Sequence, residues 1–166
     1  MTTLWEPGKG TPLAGHVRET ADGWRCETVR LKADPEHVSL WGDVRGALGA
    51  DGRYLALFVG REIDVFDTHS GERAGNVAAE ADHLCFAGSC RLIAWRRGAD
   101  TIRTYVVPSL RPESALSLAP AEDAVESLAP SPDGRALLVG TRRGVVLEFE
   151  LTGDVVFRRA ARRQPS

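Results

Sequence analysis

The stretch SLAPSPDGRALLVGTRRGVVLEFELTGD, from Ser127 to Asp154, decides the fold of this 166-residue chain. Asp133-Gly134 is a tight-turn dipeptide, because both residue types tolerate the positive φ that hairpin turns need. An apolar run at 136–139 and an alternating run at 145–151 follow, with a polar turn between them. Alternation with a period of two is typical of a half-buried strand. The stretch therefore predicts a unit of antiparallel strands joined by short turns.

The same order of turns and strands occurs in two copies upstream. An arginine follows the first turn of each copy, and an aromatic residue closes the third strand 13, 14 and 14 residues later. The arginines are Arg53, Arg91 and Arg135, and the aromatic residues are Phe66, Tyr105 and Phe149. A period of about 40 residues with four strands per copy is the signature of a propeller blade. We predict an all-β, β-propeller-like fold with three clear four-stranded blades, at residues 44–81, 82–121 and 124–160.

Two motifs resemble those of the WD40 family. Residues 63–72, IDVFDTHSGE, resemble the end of the third strand of a WD40 blade, with Phe66-Asp67 in place of Trp-Asp. Residues 131–134, SPDG, resemble the turn between that family's first and second strands. The resemblance covers residues 44–160 and implies a propeller fold. We predict that the protein is a non-catalytic protein-interaction scaffold of WD40-like type.

The chain also departs from the WD40 pattern. The Asp67 position becomes Val106 and Glu150 in the other copies. The Gly-His dipeptide that precedes WD40 blades occurs once, at Gly15-His16, which is not a repeat position. We therefore expect apolar packing, rather than a polar network, to hold these blades together.

Both ends of the chain are less regular than the middle. Residues 21–23, Ala-Asp-Gly, form a hairpin signal between two strand-like runs, and 37–41 is a candidate third strand. Residues 1–43 are therefore either an N-terminal arm or a divergent blade. The outer strand of the third copy is expected at 155–158. The tail from Arg158 to Ser166 has no apolar pattern, and we expect it to fray, with residues 161–166 outside the last blade.

Composition narrows the class of protein. The net charge of −2 argues against a strongly basic nucleic-acid binder, and 43% apolar residues argue against disorder. The chain has no apolar run of about 18 residues that would span a membrane, and its N-terminus lacks a secretory signal. Three cysteines at irregular spacing form no disulfide framework. These features favour the cytoplasm, with no membrane partner and an unlikely nucleic-acid partner.

The number of blades bears on whether the chain forms a closed propeller ring. A propeller ring needs about four to eight blades, so an open arc of three or four leaves two apolar flanks in water. Self-association of two arcs about a two-fold axis would complete a ring of about six to eight blades. A second protein that supplies the missing blades, or a compact four-bladed ring, are the alternatives. We favour self-association.

No set of residues predicts catalysis, a metal site or a cofactor. His83, Cys85 and Cys90 lack a fourth ligand at a convincing spacing, and a small buried core cysteine is the simpler interpretation of Cys85. His69 and Ser70 are neighbours of Asp67 along one turn, whereas a triad needs partners that meet in space. Phosphate-loop and dinucleotide fingerprints are absent. Trp41 and Trp95 are expected to pack inside or between blades. We therefore predict a protein that is not an enzyme.

One charge pattern indicates a binding face. The turn after the second strand of every copy contains arginine, and in a blade these turns lie on one face of the disc. The residues are Arg61, Arg96, Arg97, Arg142 and Arg143. Since arginine forks match carboxylate and phosphate groups, we predict docking of an acidic or phosphorylated protein partner on this face.

Three alternatives remain open for this pattern and for the function. The arginines are also consistent with ordinary solvated turn residues. A small-molecule-binding or enzymatic propeller would use the central funnel instead. A nucleic-acid adaptor would use the tail residues Arg158, Arg159, Arg162 and Arg163, with steep salt dependence.

Overall fold

The computed structural model describes residues 2–4, 13–20, 23–32, 45–59, 61–117, 124–151 and 157–162. In these ranges the chain consists of antiparallel strands and turns, without a helix. An N-terminal sheet contains β1 (Thr2–Leu4), β2 (Leu13–Thr20) and β3 (Gly23–Arg30), in that order. β2 and β3 pair antiparallel, with Thr20 opposite Gly23, and residues 21 and 22 of the predicted hairpin lie outside the described residues. The candidate strand at 37–41 lies outside the described residues.

Three four-stranded sheets follow, which we call blades 1, 2 and 3. Blade 1 contains β4 (Arg45–Leu48), β5 (Tyr54–Val59), β6 (Glu62–Asp67) and β7 (Arg73–Ala78). Blade 2 contains β8 (His83–Ala87), β9 (Arg91–Trp95), β10 (Thr101–Val106) and β11 (Arg111–Ser117). Blade 3 contains β12 (Val125–Pro130), β13 (Ala136–Thr141), β14 (Val146–Leu151) and β15 (Phe157–Arg162).

The strands of each blade pair in chain order, and the blades meet at their first strands. β8 lies against β4 on one side and against β12 on the other, so the first strands are the inner strands of a radial arrangement. This arrangement confirms the predicted all-β, propeller-like fold with three four-stranded blades. Within the described residues, no helix is long and apolar enough to cross a bilayer.

The strand register tests the two sequence landmarks. Phe66, Tyr105 and Phe149 each lie opposite a leucine of the second strand, namely Leu55, Leu92 and Leu137 respectively. The aromatic landmark is therefore structurally equivalent in all three blades. The arginine landmark is not, because Arg53 and Arg135 precede that leucine by two residues and Arg91 precedes it by one. Arg91 already lies in β9, where it forms a two-bonded ion pair with Glu113 at 2.8 and 3.2 Å.

Apolar packing between blades forms most of the core. One cluster joins Ile63 and Val65 of blade 1 to Leu92 and Tyr105 of blade 2. A second joins Ile93, Trp95 and Ile102 of blade 2 to residues of blade 3 that include Phe149. Trp95 is buried between blades, as the sequence predicts. Burial of apolar surface stabilises a fold by about 25 cal/mol per Å², so the packing between blades contributes to the stability of the arc.

A third cluster covers the opposite face of blade 1. Leu31, which follows β3 directly, packs with Leu55, Leu57, Val59 and Phe66. The backbone N–H of Lys32 donates to the carbonyl of Gly71 at 2.7 Å, which fixes this segment beside the last turn of the blade. Blade 1 is consequently buried on both faces.

The outer strand of blade 3 differs from its predicted bounds. The sequence placed it at 155–158 and predicted fraying from Arg158. The structure pairs residues 157–162 with β14 in continuous register, from Leu151 opposite Phe157 to Val146 opposite Arg162. An outer strand needs no apolar pattern, because its backbone hydrogen bonds to β14 supply the order. The prediction of fraying at 158–162 is therefore wrong, and 163–166 lie outside the described residues.

Candidate protein-interaction face

The arginines singled out in the sequence lie in exposed turns at one end of the blades. Arg61 precedes β6, Arg96 and Arg97 lie between β9 and β10, and Arg142 and Arg143 lie between β13 and β14. Each turn is polar because it links two strands whose apolar residues face neighbouring blades, which leaves the tip in water.

Backbone hydrogen bonds tie these turns to the connections between blades. The N–H of Ala79, in the link from blade 1 to blade 2, donates to the carbonyl of Arg61 at 3.1 Å. The N–H of Gly98 donates to the carbonyl of Val125, at the start of β12, at 3.2 Å. The turns and the starts of the inner strands therefore share one end of the arc. We call this surface the arginine face: Arg45, Arg61, Arg96, Arg97, Arg142 and Arg143, with the acidic residues Glu80, Asp82 and Glu126.

Glu126 brings two of the predicted arginines together across the border between blades 2 and 3. Its Oε2 lies 3.8 Å from Nε of Arg97, and its Oε1 accepts a hydrogen bond from Nε of Arg142 at 3.3 Å. Both arginine side chains are mostly exposed. Glu126 thus holds guanidinium groups from neighbouring blades on either side of one carboxylate.

The border between blades 1 and 2 has a similar organisation. Nη1 of Arg45, at the start of β4, donates to the carbonyl of Asp82 at 2.5 Å. Oδ2 of Asp82 accepts from the backbone N–H of Arg97 at 3.2 Å. Nη1 of Arg96 lies 3.7 Å from Oε2 of Glu80. These contacts continue the alternation of basic and acidic groups from blade 1 to blade 3.

The balance of charge on the arginine face is positive, because its six arginines outnumber its three acidic residues. Exposed ion pairs contribute about 0–1 kcal/mol each, so Glu80 and Glu126 can be displaced by a stronger ligand. A carboxylate or phosphate group that accepts two parallel guanidinium hydrogen bonds is such a ligand. The face therefore has the chemistry to bind an acidic segment.

A cavity of about 210 Å³ opens beside Arg96. Its lining combines the apolar residues Ala79, Ala94 and Tyr105 with the polar side chains of Glu80, Arg96 and Thr101. The Arg96–Glu80 pair lies at its edge. An apolar side chain of a docked segment would fit here next to the charged groups.

His83 contributes packing rather than charge. It lies opposite Trp95 in the β8–β9 register, and the two rings stack with centroids 4.7 Å apart. Burial and the nearby guanidinium groups of Arg45 and Arg97 lower the pKa of His83 below its ordinary value of 6.5, against the opposing effect of Asp82. The imidazole is therefore neutral at pH 7, and the positive charge of the face comes from arginine.

The residues weighed for metal binding do not converge. Cys85 points to the same side of β8 as His83, and burial raises the pKa of its thiol to about 12. Cys90 is exposed in the turn before β9. Among the described residues no three His, Cys, Asp or Glu side chains gather closely enough to hold a metal ion.

Asp67, His69 and Ser70 form a structural turn. The Asp67 carboxylate accepts hydrogen bonds from the backbone N–H of His69 at 2.9 Å, from that of Ser70 at 3.2 Å, and from Nε of Arg53 at 3.4 Å. Burial raises the pKa of Asp67, but these hydrogen bonds outweigh it and leave the pKa below 3.8. Ser70 Oγ in turn accepts from the N–H of Glu72 at 3.2 Å.

Sequence reasoning missed the acidic half of the arginine face. Glu80, Asp82 and Glu126 lie at or just before inner strands, where the sequence shows only scattered acids. A signal was present, since Glu80 and Asp82 immediately precede β8. The sequence alone did not reveal this signal, because only the fold places each link between blades beside an arginine-bearing turn. The tail residues Arg158, Arg159 and Arg162 lie in β15, and Arg163 is outside the described residues.

Comparison with known proteins shows the fold alone. No protein-family model and no curated protein sequence matches the chain. Among solved structures, 90% of the chain aligns with Sqt1 from Chaetomium thermophilum at a TM-score of 0.55 and 18% identity. The same share aligns with the β-propeller domain of Cps50 (Swd1) from Myceliophteria thermophila at a TM-score of 0.59 and 15% identity. The fold is a WD40-like β-propeller.

The match covers only part of each relative. The chain spans 41% of the Sqt1 chain and 52% of the Cps50 chain. The chain therefore spans about half the length of the solved structures that it matches.

Proposed function

We propose that this protein is a non-catalytic interaction scaffold whose arginine face docks an acidic or phosphorylated protein segment. The observation that supports it most is the alternation of Arg45, Arg97 and Arg142 with Asp82 and Glu126 across all three blades. The guanidinium groups are exposed and only weakly paired, so they remain available to a ligand. The WD40-like fold supports a scaffold as well, since its blades present many turns on one surface.

A docked acidic segment would replace the internal carboxylates. It would lie along the border of the blades and exchange Glu126 and Glu80 for its own carboxylate or phosphate groups. The cavity beside Arg96 would take an apolar side chain of the segment. Binding of this kind weakens as salt rises, because the contacts are exposed and electrostatic.

Charge reversal tests this proposal. A triple variant, Arg61→Glu, Arg97→Glu and Arg142→Glu, should reduce capture of the partner by at least about tenfold, since each change replaces attraction by repulsion. A matched triple variant at exposed arginines outside the face and its cavity, Arg53→Glu, Arg111→Glu and Arg135→Glu, makes the same change in net charge. Capture from the native host and titration with phosphorylated peptides, each at low and high salt, provide the readout.

Two outcomes would refute the arginine face as the docking surface. One is partner binding that the first triple variant leaves unchanged and that does not respond to salt. The other is an equal loss in both triple variants, which would show a general effect of net charge.

We propose that association covers the exposed end of the arc, with either a second copy of the chain or another protein supplying the missing blades. The apolar character of the blade-to-blade interfaces supports this part of the proposal, because an unfilled interface leaves such residues in water.

A further inference from the structure

Blade 2 has an exposed arginine at a position that is buried in blades 1 and 3. This position precedes the aromatic residue of the third strand by two, and its residues in blades 1, 2 and 3 are Asp64, Arg103 and Leu147. Their partners at the equivalent register position of the second strand are Leu57, Ala94 and Val139. Asp64 is 2% exposed and Leu147 is fully buried, whereas Arg103 is exposed. Among these three blades, only blade 2 therefore leaves the position open to solvent.

The border between blades 2 and 3 shows how this position is filled elsewhere. Leu147 and Val139 belong there to the apolar cluster that also contains Trp95 of blade 2. At the border between blades 1 and 2, Arg103 and Ala94 take the places of the leucine and the valine. Protein interiors are close-packed, so the loss of two large aliphatic side chains leaves space between the blades unless a neighbour fills it.

Two adjoining cavities occupy this border. One is the cavity of about 210 Å³ beside Arg96, on the arginine face. The other has a volume of about 450 Å³ and a mostly apolar lining. Its lining residues include Val77, Ala78, Pro112 and Ala115. Arg103 and Tyr105 line both cavities, which therefore meet at these two residues, and we call the two cavities together the Arg103 groove.

The order of residues along blade 1 gives the direction of the groove. A Cβ on Gly75 would overlap the carbonyl oxygen of Pro108, so β7 touches the turn after β10 at that point. Residues 77 and 78 then line the larger cavity, and residues 79 and 80 line the smaller one. Because an extended chain rises about 3.3 Å per residue, the two cavities are about 7 Å apart along the groove. Side chains two positions apart in an extended segment have the same spacing and point to the same side.

Arg103 is the charged residue of the groove that is free to pair with a ligand. Glu80 in the lining already lies 3.7 Å from Arg96. Glu113 in the lining pairs with Arg91 at 2.8 Å. Among the described residues no carboxylate forms an ion pair with Arg103. An exposed guanidinium between two cavities attracts a carboxylate, which is able to accept two parallel hydrogen bonds from it.

We propose that the Arg103 groove binds an extended protein segment in which an acidic residue stands between two large apolar residues. The two apolar side chains point into the two cavities. The acidic side chain between them points outward and pairs with the exposed guanidinium of Arg103. This inference rests on the proposed function, because it names the pattern of residues in the acidic segment that the arginine face docks.

Titration of the protein with short synthetic peptides, followed by NMR, tests the proposal. The probe has leucine, glutamate and leucine at consecutive positions, with glycine and serine elsewhere. A peptide of the same composition with the two leucines adjacent should bind about tenfold more weakly, because only one of them then points into the groove. A peptide with glutamine in place of glutamate should also bind about tenfold more weakly, since it lacks the charge that pairs with Arg103.

The variant Arg103→Leu separates a binding role from a structural one. Leucine is the residue that blade 3 buries at this position, so the variant should unfold at the same urea concentration as the wild type or at a higher one. It should bind the probe about tenfold more weakly, because the charged hydrogen bonds are lost. Arg111→Leu is the matched control, since it removes an exposed arginine of β11 outside the groove and should leave probe binding unchanged.

A second variant keeps the test valid if Arg103→Leu disturbs folding. Ala115→Leu fills part of the larger cavity and leaves every charge in place. It should weaken probe binding several-fold while the circular dichroism spectrum stays unchanged.

Four results would overturn the proposal. They are no binding of the probe at millimolar concentration, equal binding of the probe and the adjacent-leucine peptide, and probe binding that neither Arg103→Leu nor Ala115→Leu weakens. The fourth is binding of free N-acetylleucine as tight as that of the probe, which would indicate a small-molecule site. The charge-reversal triple variant of the arginine face separates this test from that of the proposed function. If that variant loses its partner while Arg103→Leu keeps both partner and probe, the arginine face stands and the groove proposal fails.

Discussion

Blades 1 and 3 have the same strand order and nearly the same pattern of residues, yet their burial differs. In β6 of blade 1, Ile63, Val65 and Phe66 are buried and even Asp64 is only 2% exposed. In β14 of blade 3, burial alternates, with Leu147 and Phe149 inside and Val146 exposed. The difference comes from position in the arc, since Leu31 covers one face of blade 1 and blade 2 covers the other. The sequence of a blade therefore determines which residues are able to be buried, and the contacts with neighbouring segments determine which of them are buried.

The largest effect we expect comes from truncation at equivalent positions in a filled and an unfilled interface. Ile93→Ala should lower the free energy of unfolding by about 3 kcal/mol, because it leaves a cavity between blades 2 and 3. Leu138→Ala should cost less than about 1 kcal/mol in dilute protein, since that side chain is partly in water. Urea denaturation measures both. Equal losses would show that blade 3 is as fully packed as blade 2.

The next effect concerns the turn between the first two strands. Gly134 of blade 3 and Gly52 of blade 1 have φ values of 70° and 75°, but a Cβ on Gly134 would lie 2.8 Å from the backbone N of Gly88. Nothing lies within 4 Å of a Cβ on Gly52. Gly52→Ala should cost about 1 kcal/mol from φ alone, and Gly134→Ala about 1 kcal/mol or more beyond that.

Thermal or chemical denaturation of these two alanine variants provides the comparison. Similar losses of unfolding free energy in the two variants would mean that the contact between the first turns of blades 2 and 3 has room for a methyl group.

A smaller effect concerns Asp67, whose position is Glu150 in blade 3. Asp67→Asn should lower the free energy of unfolding by about 1 kcal/mol at neutral pH, because it weakens the hydrogen bonds to His69, Ser70 and Arg53. The pKa of Asp67 is lower in the folded state, so its contribution is present above pH 3.8 and is lost as the pH falls through the folded-state pKa. The wild type and the variant should converge in acid. A difference that does not change with pH would contradict this account.

The smallest effect concerns Glu126, which joins blades 2 and 3. Glu126→Gln removes the charge that holds Arg97 and Arg142, so binding of an acidic or phosphorylated peptide should strengthen about threefold, while stability changes little. Glu150→Gln, on an exposed glutamate of the same blade, is the control for net charge. Calorimetric titration would distinguish them. Equal strengthening in both variants would argue that Glu126 does not compete with the ligand.

The sequence was sufficient to predict the blades, because their hairpins are local. Asp-Gly turns, alternating strands and the repeated aromatic residue act over a few residues, and the register places Phe66, Tyr105 and Phe149 at equivalent sites. The arginine landmark of blade 2 is one residue closer to the second-strand leucine than in blades 1 and 3, and Arg91 pairs with Glu113 inside the blade. Counting along a sequence cannot detect a one-residue shift in a turn.

The outer strand of blade 3 shows a second limit of prediction from sequence patterns. Residues 157–162 contain no apolar alternation, so the sequence favoured a frayed tail. Backbone hydrogen bonds to β14 form without regard to side-chain pattern, and these bonds order the strand.

The acidic residues of the arginine face were missed for a related reason. Glu126 is 29 residues from Arg97, and only the contact of neighbouring blades places one beside the other.

By itself the sequence determined the repeat, the strands within each copy and the end of the blades at which the arginines lie. Each of these follows from turn chemistry and side-chain alternation, which are set by residues close together in the chain. The tertiary structure alone decided which faces are filled, which arginines share a carboxylate and where an apolar face stays open. Those outcomes depend on packing between segments about 40 residues apart, and packing at that distance is fixed by the whole arc.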